Sequence, residues 1–143
     1  NPGESLKPLS QVASGGELSR IMLAIKTVLA GRDEIDTLIF DEIDTGISGR
    51  TAWKVAEQLS VLSGAHQVIC ITHLPQIAAM ADVHFVIEKS STDDMTITDI
   101  HKVSAEESLA ELARLLGSDA LTEAALSNAK EMKEQAGMFK ETR

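Results

Sequence analysis

The sequence predicts an α/β fold: a mainly parallel sheet covered by helices, with an antiparallel hairpin at one edge. Short, continuously apolar runs alternate with longer segments in which apolar residues recur every three or four positions. The short runs are typical of strands buried on both faces, and the longer segments are typical of amphipathic helices. Such an alternation indicates parallel strands joined by helices. The alternating run 95–100 has instead the pattern of a half-exposed antiparallel edge strand.

Each element follows from a local pattern. The first twelve residues are rich in Pro, Gly, Ser and Lys and predict a loop. Ser14 and Glu17 have the S-x-x-E spacing of a capping box, which predicts a helix that begins at the glycine pair and stops at Gly31. The remaining predictions are a strand at 37–40, a helix at 52–62, a strand at 67–72, a short helix at 75–81, a strand at 83–88, the edge strand at 95–100, and two helices separated by Gly117.

Composition narrows the range of functions. A chain of 143 residues that is 43% hydrophobic predicts one compact unit. A net charge of −9 and an aromatic content of 3% disfavour a general nucleic-acid-binding surface. No apolar run approaches the roughly 20 residues that cross a bilayer, so we expect a soluble cytoplasmic protein without a membrane partner. The single cysteine, Cys70, lies in an apolar run and is expected to be a packed thiol.

Three features could carry chemistry. The tripeptide 14–16 opens a helix, so its amides and the helix dipole could receive a phosphate; the alternative is a helix cap with two flexible residues. Asp41 and Glu42 end a strand, where one carboxylate could serve Mg²⁺ and the other could activate a water, or both could simply mark the solvent boundary. His73 follows the next strand, either as a site residue or as a turn residue. Ligands gather at the carboxyl ends of parallel strands.

These motifs together resemble those of a known family. The run 9–20, LSQVASGGELSR, is similar to the signature motif of ABC ATPases in its chromosome-maintenance form, with Glu17 where transporters usually have glutamine. Residues 38–42 resemble the Walker B strand, 44–46 the D-loop, and 71–73 the switch histidine, all in the family's order. The greatest likeness, over nearly the whole chain, is to the RecN family of bacterial DNA repair proteins, through VASGGELSRIMLAIK, LIFDEIDTGISGRTA, THLPQIA, LARLLG and LSNAKEM.

The resemblance implies a P-loop NTPase-like fold in which residues 1–143 are the C-terminal half of an ATPase head. No G-x-x-x-x-G-K-[ST] occurs in the sequence, so the P-loop would come from an N-terminal half of the same protein. The implied cofactors are ATP and Mg²⁺, and the implied assembly is a homodimer whose heads sandwich two ATP molecules. The implied role is DNA double-strand-break repair and recombination at the nucleoid, with DNA bound by the full-length protein rather than by this acidic segment.

The resemblance also implies roles across the dimer interface. Ser14, Gly15 and Gly16, with Glu17 beside them, would contact the γ-phosphate held by the opposite protomer. Asp44 would cross the interface to couple the two sites.

Within its own site, each head would use three further residues. Asp41 would assist Mg²⁺, usually through water, Glu42 would polarise the attacking water, and His73 would sense the γ-phosphate. Because positioning and charge stabilisation dominate such chemistry, this chain alone is expected to be inactive.

Other functions stay open at this stage. The motifs also fit the head of another chromosome-maintenance ATPase, or a transporter subunit. A nucleotide-switched interaction module with little turnover would carry the same residues. A metal-dependent hydrolase built from Asp41, Glu42 and His73 would need a third protein ligand and an open coordination position.

Overall fold

The computed structural model of the chain describes residues 7–29, 32, 34–91, 95–117 and 121–142. The chain divides into two compact units, Asn1–Thr72 and His73–Arg143, where composition predicts one. Each unit has its own pair of strands, packed with its own helices, which explains the division. The α/β class is confirmed.

The first unit contains the parallel strands. Its elements are α1 (Leu9–Val12), α2 (Gly15–Val28), β1 (Thr37–Phe40), α3 (Gly49–Leu62) and β2 (Gln67–Cys70). Strands β1 and β2 pair in parallel with Phe40 opposite Cys70, and α2 packs against α3. The prediction of a loop up to residue 12 is wrong for α1, a single helical turn in which the Ala13 amide donates to the Leu9 carbonyl at 2.9 Å.

The two faces of the parallel pair differ in burial. Phe40 is 4% exposed, whereas Ile39 is 68% exposed on the opposite face, where its neighbour Ile69 is 44% exposed. Because successive side chains of a strand point to opposite faces, one face is packed and the other is open. The prediction that β1 is buried on both faces is therefore wrong for the part of the chain that the structure describes.

The second unit combines a hairpin with three helices. Its elements are α4 (Pro75–Met80), β3 (Phe85–Ser91), β4 (Thr96–Lys102), α5 (Ala105–Leu115) and α6 (Glu123–Thr142). Strands β3 and β4 pair antiparallel, and α6 packs against α4 and α5 through buried alanines at 125, 129 and 136. Small side chains let helices approach closely.

Two parts of the fold prediction change. The predicted antiparallel hairpin is confirmed as β3 and β4, but neither of its strands pairs with β1 or β2, so the described strands form one parallel and one antiparallel pair instead of a single, mainly parallel sheet. The predicted strand bounds 83–88 and 95–100 move to 85–91 and 96–102, since the pairing of the hairpin decides where its strands end. None of the helices in the described ranges is long and apolar enough to cross a membrane.

Candidate functional site

Helix α2 begins with the predicted capping box. The Glu17 amide donates to Ser14 Oγ at 3.4 Å, and Glu17 Oε2 accepts from both the amide and the hydroxyl of Ser14, each at 2.8 Å. The hydrogen bond from the Ser14 amide lowers the pKa of the Glu17 carboxyl below its ordinary value, so the group stays ionised. Glu17 is thus the partner of Ser14 within its own helix, and its contact with a nucleotide stays a prediction.

The two glycines after Ser14 allow a close approach to the acidic turn at the end of β1. A Cβ added at Gly15 would lie 2.5 Å from Glu42 Oε2. A Cβ added at Gly16 would lie 2.8 Å from the Glu42 carbonyl oxygen and 3.0 Å from the Cβ of Thr45. The Glu42 carboxylate is the end of a flexible side chain and could shift, but its carbonyl belongs to the backbone. Gly16 is therefore the residue whose missing side chain the packing requires.

The acidic turn holds Glu42 in an uncommon backbone conformation. Glu42 has a φ of 57°, in the left-handed region that few residues other than glycine occupy. Its amide donates to Asp41 Oδ1 at 2.8 Å, and its carbonyl accepts from the Thr45 amide at 3.0 Å. The main chain thus folds back directly after β1, and Asp41 and Glu42 remain exposed at the strand end.

Two side chains of α2 fasten this turn from the helix side. Ser19 Oγ donates to the Asp41 carbonyl at 2.9 Å. Arg20 Nη1 donates to the carbonyls of Ile43 at 3.0 Å and Thr45 at 2.8 Å. Sequence reasoning did not single out either residue. The spacing could have done so, because positions three and four residues after Gly16 lie on the same helix face.

Asp44 is buried within the first unit. It is 3% exposed, and Thr72 Oγ1 donates to its Oδ2 at 2.6 Å. In this structure the carboxylate joins the segments that follow β1 and β2 inside the first unit, and its role across a dimer interface stays a prediction. Burial raises the pKa of the nearby Cys70 thiol to about 12, with Asp44 and Asp41 adding to the effect, and the thiol is therefore protonated and packed.

The structure brings the tripeptide 14–16 together with Asp41 and Glu42. His73, by contrast, is the first residue of the second unit, and its role as a sensor stays a prediction. Among the residues that the structure describes, no three His, Cys, Asp or Glu side chains are grouped so as to hold a metal ion. Mg²⁺ commonly binds one or two carboxylates, and water and substrate phosphates complete its coordination. The exposed carboxylate of Asp41 fits this kind of site, in which the protein supplies only some of the ligands.

The fold and the site define a class: an α/β protein in which an acidic strand end packs against the glycine-containing start of a helix. No family model matches the chain. It is 48% identical over 142 residues to the DNA repair protein RecN of Bacillus subtilis, and 52% identical over 132 residues to that of Treponema pallidum. These alignments cover 99% and 92% of the chain, but 25% and 23% of the relatives.

A third relative gives the same result. The DNA repair protein RecN of Vibrio cholerae is 47% identical over 132 residues, which are 92% of this chain and 24% of that protein. The chain belongs to the RecN family, as its C-terminal segment, and spans about a quarter of the length of these relatives.

Proposed function

We propose that this chain supplies part of a composite ATP site in a RecN-type DNA repair protein. The observation that carries the proposal is the packing of the helix start at 14–16 against the acidic turn at Asp41 and Glu42. The helix start offers amides and a positive dipole end to the phosphate of the opposite protomer's ATP, and the turn offers carboxylates to Mg²⁺ and to a water in the chain's own site. The packing therefore places one chain's contributions to the two ATP sites side by side. The missing P-loop would come from another segment of the full-length protein.

The proposal gives each residue one task. Ser14, Gly15 and Gly16 receive the γ-phosphate of an ATP bound to the opposite protomer. Asp41 serves Mg²⁺ through water, and Glu42 orients and deprotonates the attacking water.

Two roles differ from the rest. His73, in the second unit, senses the γ-phosphate. Asp44 couples the two sites across the dimer interface, and the hydrogen bond from Thr72 holds its carboxylate beside the ends of the two parallel strands.

The activity of the whole protein follows from this assignment. ATP and Mg²⁺ are its cofactors, and two heads associate around two ATP molecules. Hydrolysis separates the heads and thereby regulates contact with DNA during double-strand-break repair, at the nucleoid in the cytoplasm. The open face at Ile39 and Ile69 supports the proposal that this segment works inside a larger head, because exposed apolar surface of this kind commonly marks an interface.

The decisive experiment compares Glu42→Gln with a matched control in the full-length protein. Glu34→Gln removes an exposed carboxylate that precedes the other end of β1. Glu42→Gln should lower kcat by about 10²–10⁴-fold, the usual contribution of a general base, and should leave ATP binding intact. Steady-state hydrolysis and equilibrium binding of a fluorescent ATP analogue measure the two effects. Equal turnover of the two variants would remove Glu42 as the base.

A second experiment tests whether the site is composite. This chain alone should not hydrolyse ATP, and co-expression with the P-loop half should restore hydrolysis. Robust turnover by the purified chain would contradict the proposal.

A nucleotide-switched interaction module with little turnover is the second candidate. It is favoured by one observation: the Glu42 carboxylate lies against Gly15 of its own chain. In that case the full-length protein would bind ATP and associate, but Glu42→Gln would leave its slow turnover unchanged.

A further inference from the structure

Three hydrogen bonds from α2 reach carbonyl groups on both sides of Glu42. Ser19 Oγ donates to the carbonyl of Asp41, directly before Glu42. Arg20 Nη1 donates to the carbonyl of Ile43, directly after Glu42, and to that of Thr45, three residues after it. Every second residue of the segment 41–45 is therefore attached to the same helix, and Glu42 lies between the attachments.

The conformation of Glu42 needs such support. In the part of the chain that the structure describes, Glu42 is the one non-glycine residue with a positive φ. Residues held in sparsely populated backbone regions persist only where the surrounding structure fixes them. The bonds from Ser19 and Arg20, together with the bond from the Thr45 amide to the Glu42 carbonyl, fix the main chain on each side.

The contact between helix and turn leaves little room for relative movement. At Gly16, even a Cβ would lie 2.8 Å from the Glu42 carbonyl oxygen and 3.1 Å from Arg20 Nη1. Ser19 and Arg20 lie in the first turns of the helix that begins at Gly15, so they move with its start. A displacement of the helix start is therefore passed directly to the backbone of Glu42.

We infer that Ser19 and Arg20 are positioning residues for Glu42, an inference that rests on the function proposed above. They act through the backbone carbonyls to which they donate and not through contact with the nucleotide. When the helix start receives the nucleotide of the opposite protomer, they transmit that event to the main chain of Glu42 and set the direction of its carboxylate. Arg20 contributes more than Ser19 to the position of Glu42, because it donates to two carbonyls and Ser19 donates to one.

The test uses Arg20→Ala, Arg20→Lys and Ser19→Ala in the full-length protein. Arg32→Ala is the matched control, since Arg32 is exposed and follows the opposite end of α2. We expect kcat to fall about tenfold or more in Arg20→Ala, and less in Ser19→Ala, because a small misplacement of a reacting group costs up to about 10²-fold. The Kd for ATP should stay within about twofold of the wild-type value, and Arg32→Ala should behave as wild type.

Double variants that also carry Glu42→Gln distinguish a positioning role of Arg20 from a merely structural one. Residues that act through one group are non-additive, so Arg20→Ala should lower the residual single-turnover rate of Glu42→Gln little or not at all. An equal further fall in that background would overturn the inference, as would parallel losses in kcat and ATP affinity. Arg20→Lys, which keeps a cationic donor group, should recover part of the kcat that Arg20→Ala loses. If Arg20→Ala does not fold, Arg20→Lys and Ser19→Ala carry the test.

Failure of this inference differs from failure of the proposed function. If Glu42→Gln abolishes hydrolysis while Arg20→Ala and Ser19→Ala keep the wild-type kcat, the inference is wrong and the ATPase stands. If the wild-type protein does not hydrolyse ATP, or Glu42→Gln has no effect, the proposed function itself is wrong.

Discussion

Two helices of this chain begin with the same capping box, one in each unit. At the start of α2, Glu17 Oε2 accepts from the Ser14 amide at 2.8 Å; at the start of α5, Glu107 Oε2 accepts from the Ser104 amide at 2.7 Å. In both, the serine hydroxyl accepts from the amide of the glutamate, and the serine amide lowers the pKa of the carboxyl. The caps are chemically alike, so any difference between the two helix starts must lie outside the cap.

The difference lies in the two residues that follow each serine. After Ser14 come Gly15 and Gly16, against which the acidic turn packs. After Ser104 come Ala105 and Glu106, both exposed. The second helix start therefore serves as an internal reference for the first: it has the same cap, but the two residues after its serine are exposed and are not glycines packed against an acidic turn.

The largest expected difference in stability comes from the second helical position. Gly16→Ala should destabilise the chain by about 1–3 kcal/mol, the usual cost of overpacking, because its Cβ would meet the Glu42 carbonyl at 2.8 Å. Glu106→Ala, at the equivalent exposed position of α5, should change stability by less than about 0.5 kcal/mol. Urea unfolding of both variants measures the two values. Equal effects would mean that the turn does not require the glycine.

A smaller effect is expected when each cap is removed. Ser14→Ala and Ser104→Ala should each cost about 1 kcal/mol, because each leaves a first-turn amide without its side-chain acceptor. In the full-length protein, only Ser14→Ala should also lower ATP hydrolysis. If Ser104→Ala lowered hydrolysis as much, the loss would reflect general weakening of a helix and not a phosphate contact.

The smallest expected effect is the change in stability with pH that the two capping glutamates cause. Both glutamates have folded pKa values below the ordinary value of 4.5, so their contributions to stability are present above pH 4.5 and are lost as the pH falls through the folded pKa values. Nuclear magnetic resonance titration should show that the side-chain carboxyls of Glu17 and Glu107 each have a pKa below 4.5. A carboxyl that titrated at or above 4.5 would show that its cap does not form in solution, and the two helix starts would no longer be equivalent.

Sequence reasoning succeeded where the determinants are local. The start of α2 was predictable because Ser14 and Glu17 are three residues apart, and α3 was predictable because its apolar residues repeat along one face. The exposure of Ile39 was not predictable, because it depends on what covers the sheet and not on the sequence of the strand itself. The partner of Asp44 was also out of reach, because Thr72 lies 28 residues further along the chain.

The site itself was predictable in part. Gly15, Gly16, Asp41 and Glu42 were identified by their motifs, and the structure places them together. The hydrogen bonds of Arg20 were missed, although its position one helical turn after Gly16 was visible in the sequence.

The contact between Glu42 and Gly15 changes how binding at this helix start should be pictured. The positive end of the α2 dipole already faces a carboxylate of the same chain, whose oxygen lies 2.5 Å from where a Gly15 side chain would begin. That carboxylate ends a flexible side chain, while the main chain behind it is fastened by Ser19 and Arg20. On the function proposed above, an incoming phosphate would exchange with this resident negative charge, so its arrival and the release of the glutamate would be a single event.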